Sequence, residues 1–194
     1  MQAARGASLN DAANEIPLSG PRTALRLLFV AVAIGAYAVD QVTKALAAAR
    51  LTPGEPRHLI GSALRLDLIR NAGAAFSTGT SHTVLFTVLA IVALCATVYF
   101  ALRAGTRMWA VALGVLAAGI AGNLTDRIVR APGGFSGHVV DFLEFPHWPV
   151  FNIADVCINI AAVLILILAW RGVRLGGSRP AEDSGEESAE EPGK

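Results

Sequence analysis

Apolar positions in this chain run on where a soluble protein would alternate them with polar ones. Four stretches stand out, at about residues 24–48, 83–102, 108–124 and 150–170. An α-helix needs about 17–25 predominantly apolar residues to cross a bilayer, so each stretch predicts a transmembrane helix. The first is too long for the apolar part of a cleaved signal peptide, about 7–15 residues, and it carries Asp40 and Lys44. An uncleaved span is the better reading.

The segments between the spans differ in kind. Residues 50–81 form a long loop punctuated by Pro53-Gly54 and Pro56, and within it Leu64 to Arg70 alternates apolar and polar, the period of a half-buried strand. Asn71-Ala72-Gly73 breaks that pattern. Arg103 to Arg107 is a tight connection, which makes spans two and three antiparallel neighbours. A second long loop, 127–149, holds Pro132-Gly133-Gly134 and then the apolar run VVDFLEF. Along span three, Gly114, Ala118 and Gly122 recur every four residues, the small-residue face that lets helices approach closely. Residues 1–21 and 175–194 are polar and cannot build a core. They are expected to be disordered tails around one membrane domain, 22–174.

Composition agrees with this pattern. The 194 residues are 54% hydrophobic and 16% charged, with mean hydropathy +0.52, against about 25% charged residues in soluble domains. The net charge of +1 conceals an acidic end, where Leu175 to Lys194 holds six acids and two bases. No basic patch interleaved with aromatics appears, which argues against a nucleic-acid partner. Cys95 and Cys157 both fall in apolar runs and read as small buried hydrophobes. Four spans put both termini on one side. The arginine pairs flanking spans one and four, with the Arg103–Arg107 turn, favour the cytoplasm for that side.

With alternating helices, the polar residues sort to one membrane face. Asp40 and Lys44 end span one, Asn71 and Ser77 lie in the first loop, and Asn123, Asp126 and Arg127 end span three. Asp141 is in the second loop, and Asn152 and Asp155 open span four. A single site at that face follows. Asp40 and Lys44, four apart, suit a structural ion pair. Asp126 has Arg127 and Arg130 nearby, and Asp67 has Arg70, so these acids can stay charged as scaffold. Asp141 and Asp155 have no such cation. An unpaired acid at membrane depth costs about 2.5–3.5 kcal/mol, and Asp155 shares its helix face with Asn152 and Asn159. Two such acids can hold one proton between them, one activating water while the other polarises a carbonyl. They can equally serve helix packing or a proton-coupled carrier. His138 and His147 lack a metal-binding motif, so no metal or other cofactor is expected. Ser77 and Ser136 lack a nucleophile-elbow context.

The ordered blocks DQVTK (40–44), NAGAAFS (71–77), GNLTDR (122–127), VVDF (139–142) and FNIAD (151–155) resemble the lipoprotein signal peptidase family, signal peptidase II. The resemblance implies a bacterial inner-membrane aspartic endopeptidase, an all-α integral membrane protein with four transmembrane helices. It also implies a small extracytoplasmic β-cradle from the first loop and a short surface helix from the second. Its substrates would be prolipoproteins, cut N-terminal to a cysteine bearing diacylglyceryl. Carried over by motif, Asp141 and Asp155 would be catalytic. Asn71, Gly73, Asn123, Arg127 and Asn152 would surround substrate, with Asp40, Lys44 and Asp126 supporting. The enzyme is expected to act as a monomer among membrane lipids, with its active site on the extracytoplasmic side.

Overall fold

The computed structural model describes residues 21–73 and 83–176. The chain runs α1 (Pro21–Arg50), β1 (Arg57–Ile60), β2 (Leu64–Asn71), α2 (Thr83–Leu102), α3 (Arg107–Val129), β3 (Val139–Glu144) and α4 (Ile153–Trp170). All four helices are long and apolar enough to cross a membrane. Most of both expected tails, and Ser77, lie outside the described residues. Leu175, expected to open the C-terminal tail, instead packs against Ala101, Ala104 and Leu113.

The bundle is built inside out relative to a soluble one. Large apolar side chains such as Leu27, Ile34, Leu89, Val92 and Leu166 face outward, where lipid solvates them at no cost. On α2 the buried positions are Thr83, Thr87, Thr97 and Ala101. Helix α3 sits at the centre, packed on α1, α2 and α4, and its buried face is mostly Ala and Gly. Gly114 abuts the Phe29 carbonyl and Val32 of α1, and Gly122 abuts Asp40 of α1 and Ala154 of α4. Close approach replaces hydrophobic burial as the source of cohesion. Gly119 shows how little room remains: a Cβ there would lie 2.5 Å from the Ala154 carbonyl oxygen and 2.7 Å from Ile158 Cγ1. Gly119→Val is therefore expected to cost about 1–3 kcal/mol, read as a lower melting temperature in detergent; a wild-type melt would contradict this packing.

The loops supply a three-stranded antiparallel sheet in the order β1-β2-β3. Strand β2 covers the alternating segment read from sequence. The sheet rests on the end of α1 through a cluster of Ala47, Leu68, Val140 and Phe142. The short surface helix expected from the second loop is not there. That loop contributes β3, and no helix lies between α3 and α4. The six residues VVDFLE are rich in β-branched and aromatic types, which suit a pleated surface. β3 also pairs with β2 and, through Leu143, with Phe151, satisfying backbone groups that a short isolated helix would leave open.

Candidate active site

Pairing of β2 with β3 sets Ile69 opposite Asp141 and Asn71 opposite Val139, so Asn71 and Asp141 are diagonal neighbours across the strands. Asn71 Nδ2 donates to Asp141 Oδ2 at 2.9 Å. Its Oδ1 accepts from the Gly73 backbone at 2.9 Å, which fixes which end of the amide faces the acid. Gly73 has φ +118°, and a Cβ on it would meet Phe86 and Arg127 Nη1 at 3.0 and 3.2 Å. Only glycine fits this turn.

Helix α4 delivers the second acid. Asn152 caps it: its Oδ1 accepts from the Asp155 backbone at 3.0 Å, and Asp155 Oδ2 accepts from the Asn152 backbone at 3.1 Å. This is a capping box, and it locks Asp155 in the first turn. Asn152 Nδ2, buried, donates to Asp141 Oδ1 at 2.6 Å and to Asn123 Oδ1 at 3.1 Å. Asn123 Nδ2 then donates to Asp155 Oδ1 at 2.8 Å. One residue, Asn152, is thus hydrogen-bonded to both carboxylates. Asp141 is 2% exposed. Burial pushes its carboxyl up to about 6; the Asn71 hydrogen bond opposes this, the nearby Asp155 charge adds to it, and Asn152 opposes it.

Beneath these acids lies a buried ionic knot. Lys44 Nζ meets Asp40 Oδ2 at 3.0 Å, Asp126 Oδ2 at 2.9 Å and Asn123 Oδ1 at 2.9 Å, which uses all three ammonium donors. Asp40 Oδ1 accepts from the Ala154 backbone at 2.8 Å, and Asp126 Oδ2 from the Val140 backbone at 3.2 Å. The knot therefore ties α1, α3, α4 and β3 together, one residue away from each acid of the upper pair. The Asp40–Lys44 pair has the geometry its spacing implied. Asp126 does so in part: it pairs with Arg130 at 2.5 Å, but its second cation is Lys44 rather than Arg127. Arg127 turns away, its guanidinium 5.8 Å above the Phe86 ring. Its buried Nη1 has no hydrogen-bond partner among the described residues. Asp67 likewise makes no ion pair with Arg70 among the described residues.

Three supports were not singled out from sequence. Thr83 Oγ1 donates to the Ala72 carbonyl at 2.5 Å and Thr87 Oγ1 to the Phe135 carbonyl at 2.8 Å, pinning both loops to α2. Gly137 donates its backbone N–H to the Arg127 carbonyl at 2.8 Å, and a Cβ there would strike the carbonyls ending α3. Its position just before β3 was the available signal.

The two acids open onto a cavity of about 490 Å³. Asn71, Asp141 and Asp155 form its polar floor, and Phe145, Trp148, Phe151, Val156 and Ile160 its apolar walls. Phe145 and Phe151 stack with centroids 5.4 Å apart. The arrangement can hold a proton between two carboxylates beside an apolar cleft.

Residues 32–171 match the family described as signal peptidase (SPase) II. The chain is 47% identical over 148 residues to a lipoprotein signal peptidase of Streptomyces coelicolor, covering 76% of this chain and 72% of that protein. It is 40% identical over 167 residues to one of Mycolicibacterium smegmatis, covering 84% and 71%. The fold is similar to a bacterial membrane enzyme solved by the in meso method at 2.3 Å resolution, with TM-score 0.65 and 31% identity over 74% of this chain and 87% of that one. With most of its length matched by family and relatives alike, this chain belongs to the signal peptidase II family of membrane peptidases.

Proposed function

We propose that this protein is an aspartic endopeptidase that removes the signal peptide from diacylglyceryl-modified prolipoproteins, cutting N-terminal to the modified cysteine. The observation that carries the reading is the pair of carboxylates joined through Asn152 above an apolar cleft. Asp141, the more deeply buried, its carboxyl pushed up by that burial, holds the proton and hydrogen-bonds the scissile carbonyl. Asp155, half-buried with one N–H donor on each oxygen, takes a proton from the attacking water. The water oxygen bonds to the carbonyl carbon as the carbonyl oxygen takes the Asp141 proton. The C–N bond then breaks, Asp155 gives its newly acquired proton to the departing amine, and the diol returns a proton to Asp141. Arg127 Nη1 and Asn71 are placed to hydrogen-bond the extended peptide, and Nη1 has no other partner among the described residues.

Lipid modification fits the depth of the site. Acyl chains contribute about 0.8 kcal/mol per buried methylene, so a diacylated cysteine stays at the bilayer surface. Asp155 lies in the first turn of α4, near that level. The site faces the extracytoplasmic side, with both termini in the cytoplasm.

The proton on Asp141 gives the test. As pH rises through about 6, its protonated fraction falls, so kcat/KM for a diacylglyceryl prolipoprotein should fall with it. Asn71→Ala removes the largest contact favouring the charged form and should move the residual activity's alkaline limb to higher pH. A flat profile from pH 5 to 8, or a limb unmoved by Asn71→Ala, would contradict the assignment.

A further inference from the structure

Among the described residues, the charged side chains at the end of the bundle remote from the carboxylates are all cationic. Arg103 and Arg107 bracket the α2–α3 turn, Arg171 and Arg174 follow α4, and all four are exposed. None forms an ion pair among the described residues, whose acids all belong to the other end. The chain after α4 folds back and draws the two pairs to one corner. Gly105 donates its backbone N–H to the Leu175 carbonyl at 2.7 Å, and Trp109 Nε1 donates to the Val173 carbonyl at 2.9 Å. Arg103 is held over the Tyr99 ring at 4.1 Å.

A cleft opens at this corner. Helices α2 and α4 both pack on α3 and leave a gap of about 550 Å³ between them, within the range of about 300–1,000 Å³ usual for ligand sites. Small Ala93 and Ala96 of α2 give it depth, Leu116 and Ile120 of α3 form its floor, and Ile165 of α4 closes the side. Its polar groups are spent: Thr97 Oγ1 donates to the Ala93 carbonyl at 2.7 Å, and Trp109 Nε1 is occupied as above. Such a surface offers an occupant nothing but apolar contact, which suits an alkyl chain. Phe100, Trp109 and Leu175, at the mouth, stand within three residues of Arg103, Arg107 and Arg174. The occupant is therefore apolar along its length and anionic at its head. The apolar segment of a signal peptide fits poorly, because its leading region is cationic and would face four arginines.

We propose that this cleft binds one anionic phospholipid, an acyl chain lying between α2 and α4 and the headgroup phosphate held by the arginine corner. It is a site separate from the carboxylates, and it does not depend on the reaction assigned to them.

The test is native mass spectrometry of the purified full chain with equal amounts of phosphatidylglycerol and phosphatidylcholine carrying identical acyl chains. Wild type should retain one phosphatidylglycerol per chain, preferred by about tenfold or more, since each arginine near a headgroup contributes. Arg103→Gln with Arg107→Gln, and Arg171→Gln with Arg174→Gln, should each reduce that preference severalfold. Ala96→Phe, filling the cleft, should abolish retention while circular dichroism reports a folded helical protein; Ile165→Trp fills it from the other wall if Ala96→Phe does not fold. Equal retention of the two lipids, or a preference that survives both arginine pairs, would overturn the proposal. So would a cleft-filling variant that keeps its lipid but raises KM for peptide substrate, which would assign the cleft to the signal peptide. A preference found only after removal of residues 179–194 would assign the arginines to the acidic tail, and would also overturn it.

Discussion

Asp155→Asn and Asp141→Asn should each reduce cleavage of a diacylglyceryl prolipoprotein by about 100- to 10,000-fold, the range general acid–base groups contribute. The substitutions keep shape and remove the titrating proton. They also carry a local cost that the hydrogen bonds make explicit. Both oxygens of each acid accept N–H donors, so an amide at either position turns one of its own N–H groups toward a donor. That mismatch costs about 1–3 kcal/mol. It is smaller than the stability of a folded domain, so the variants should remain folded and monodisperse while losing activity. Retained activity in either would exclude a dyad and favour a packing or proton-carrying role.

Lys44→Met should be the most damaging single change to the fold. Lys44 and its partners Asp40 and Asp126 are at most 1% exposed, and methionine would leave two carboxylates buried without their shared cation. Breaking a buried ion pair by removing one partner costs about 3–5 kcal/mol, which corresponds to a fall in melting temperature on the order of 10 °C. A second consequence is local. Asn123 Oδ1 loses its Lys44 donor, and the amide that presents Nδ2 to Asp155 loses part of what orients it. Adding Asp40→Asn to Lys44→Met should recover part of the stability, because Asp40 loses the cation it pairs with while Asp126 keeps Arg130. A thermal scan in detergent reads both effects. A Lys44→Met protein melting with wild type would mean the knot contributes nothing.

Much of this arrangement was legible from sequence because lipid imposes hard rules. An apolar run of membrane-crossing length has few other uses, and the four spans lie where those runs lie. An acid without a cation at helical spacing also stands out, and Asp141 and Asp155 do sit side by side around Asn152. The alternating Leu64–Arg70 segment became β2. Other features depended on partners far away in the chain. Nothing in VVDFLEF alternates, so β3 could not be told from a short helix until β2 and Phe151 offered it hydrogen bonds. Asp126 and Arg127 are adjacent in sequence, and adjacent helical residues point in different directions. The partner of Asp126 at i+4 is Arg130; the other, Lys44, comes from α1, 82 residues earlier. Gly137, Thr83 and Thr87 act on backbone carbonyls, which leave no chemical signature in a sequence. The packing of Leu175 depended on the α2–α3 turn in the same way.

The most direct test of the central claim is the mass of the products when a diacylglyceryl prolipoprotein is incubated with wild type, Asp141→Asn and Asp155→Asn protein in the same lipid. Wild type is predicted to yield a mature chain beginning at the modified cysteine together with the released signal peptide, and both variants to leave the precursor intact. Cleavage at that bond by either variant, or a wild-type product beginning at another residue, would contradict the account.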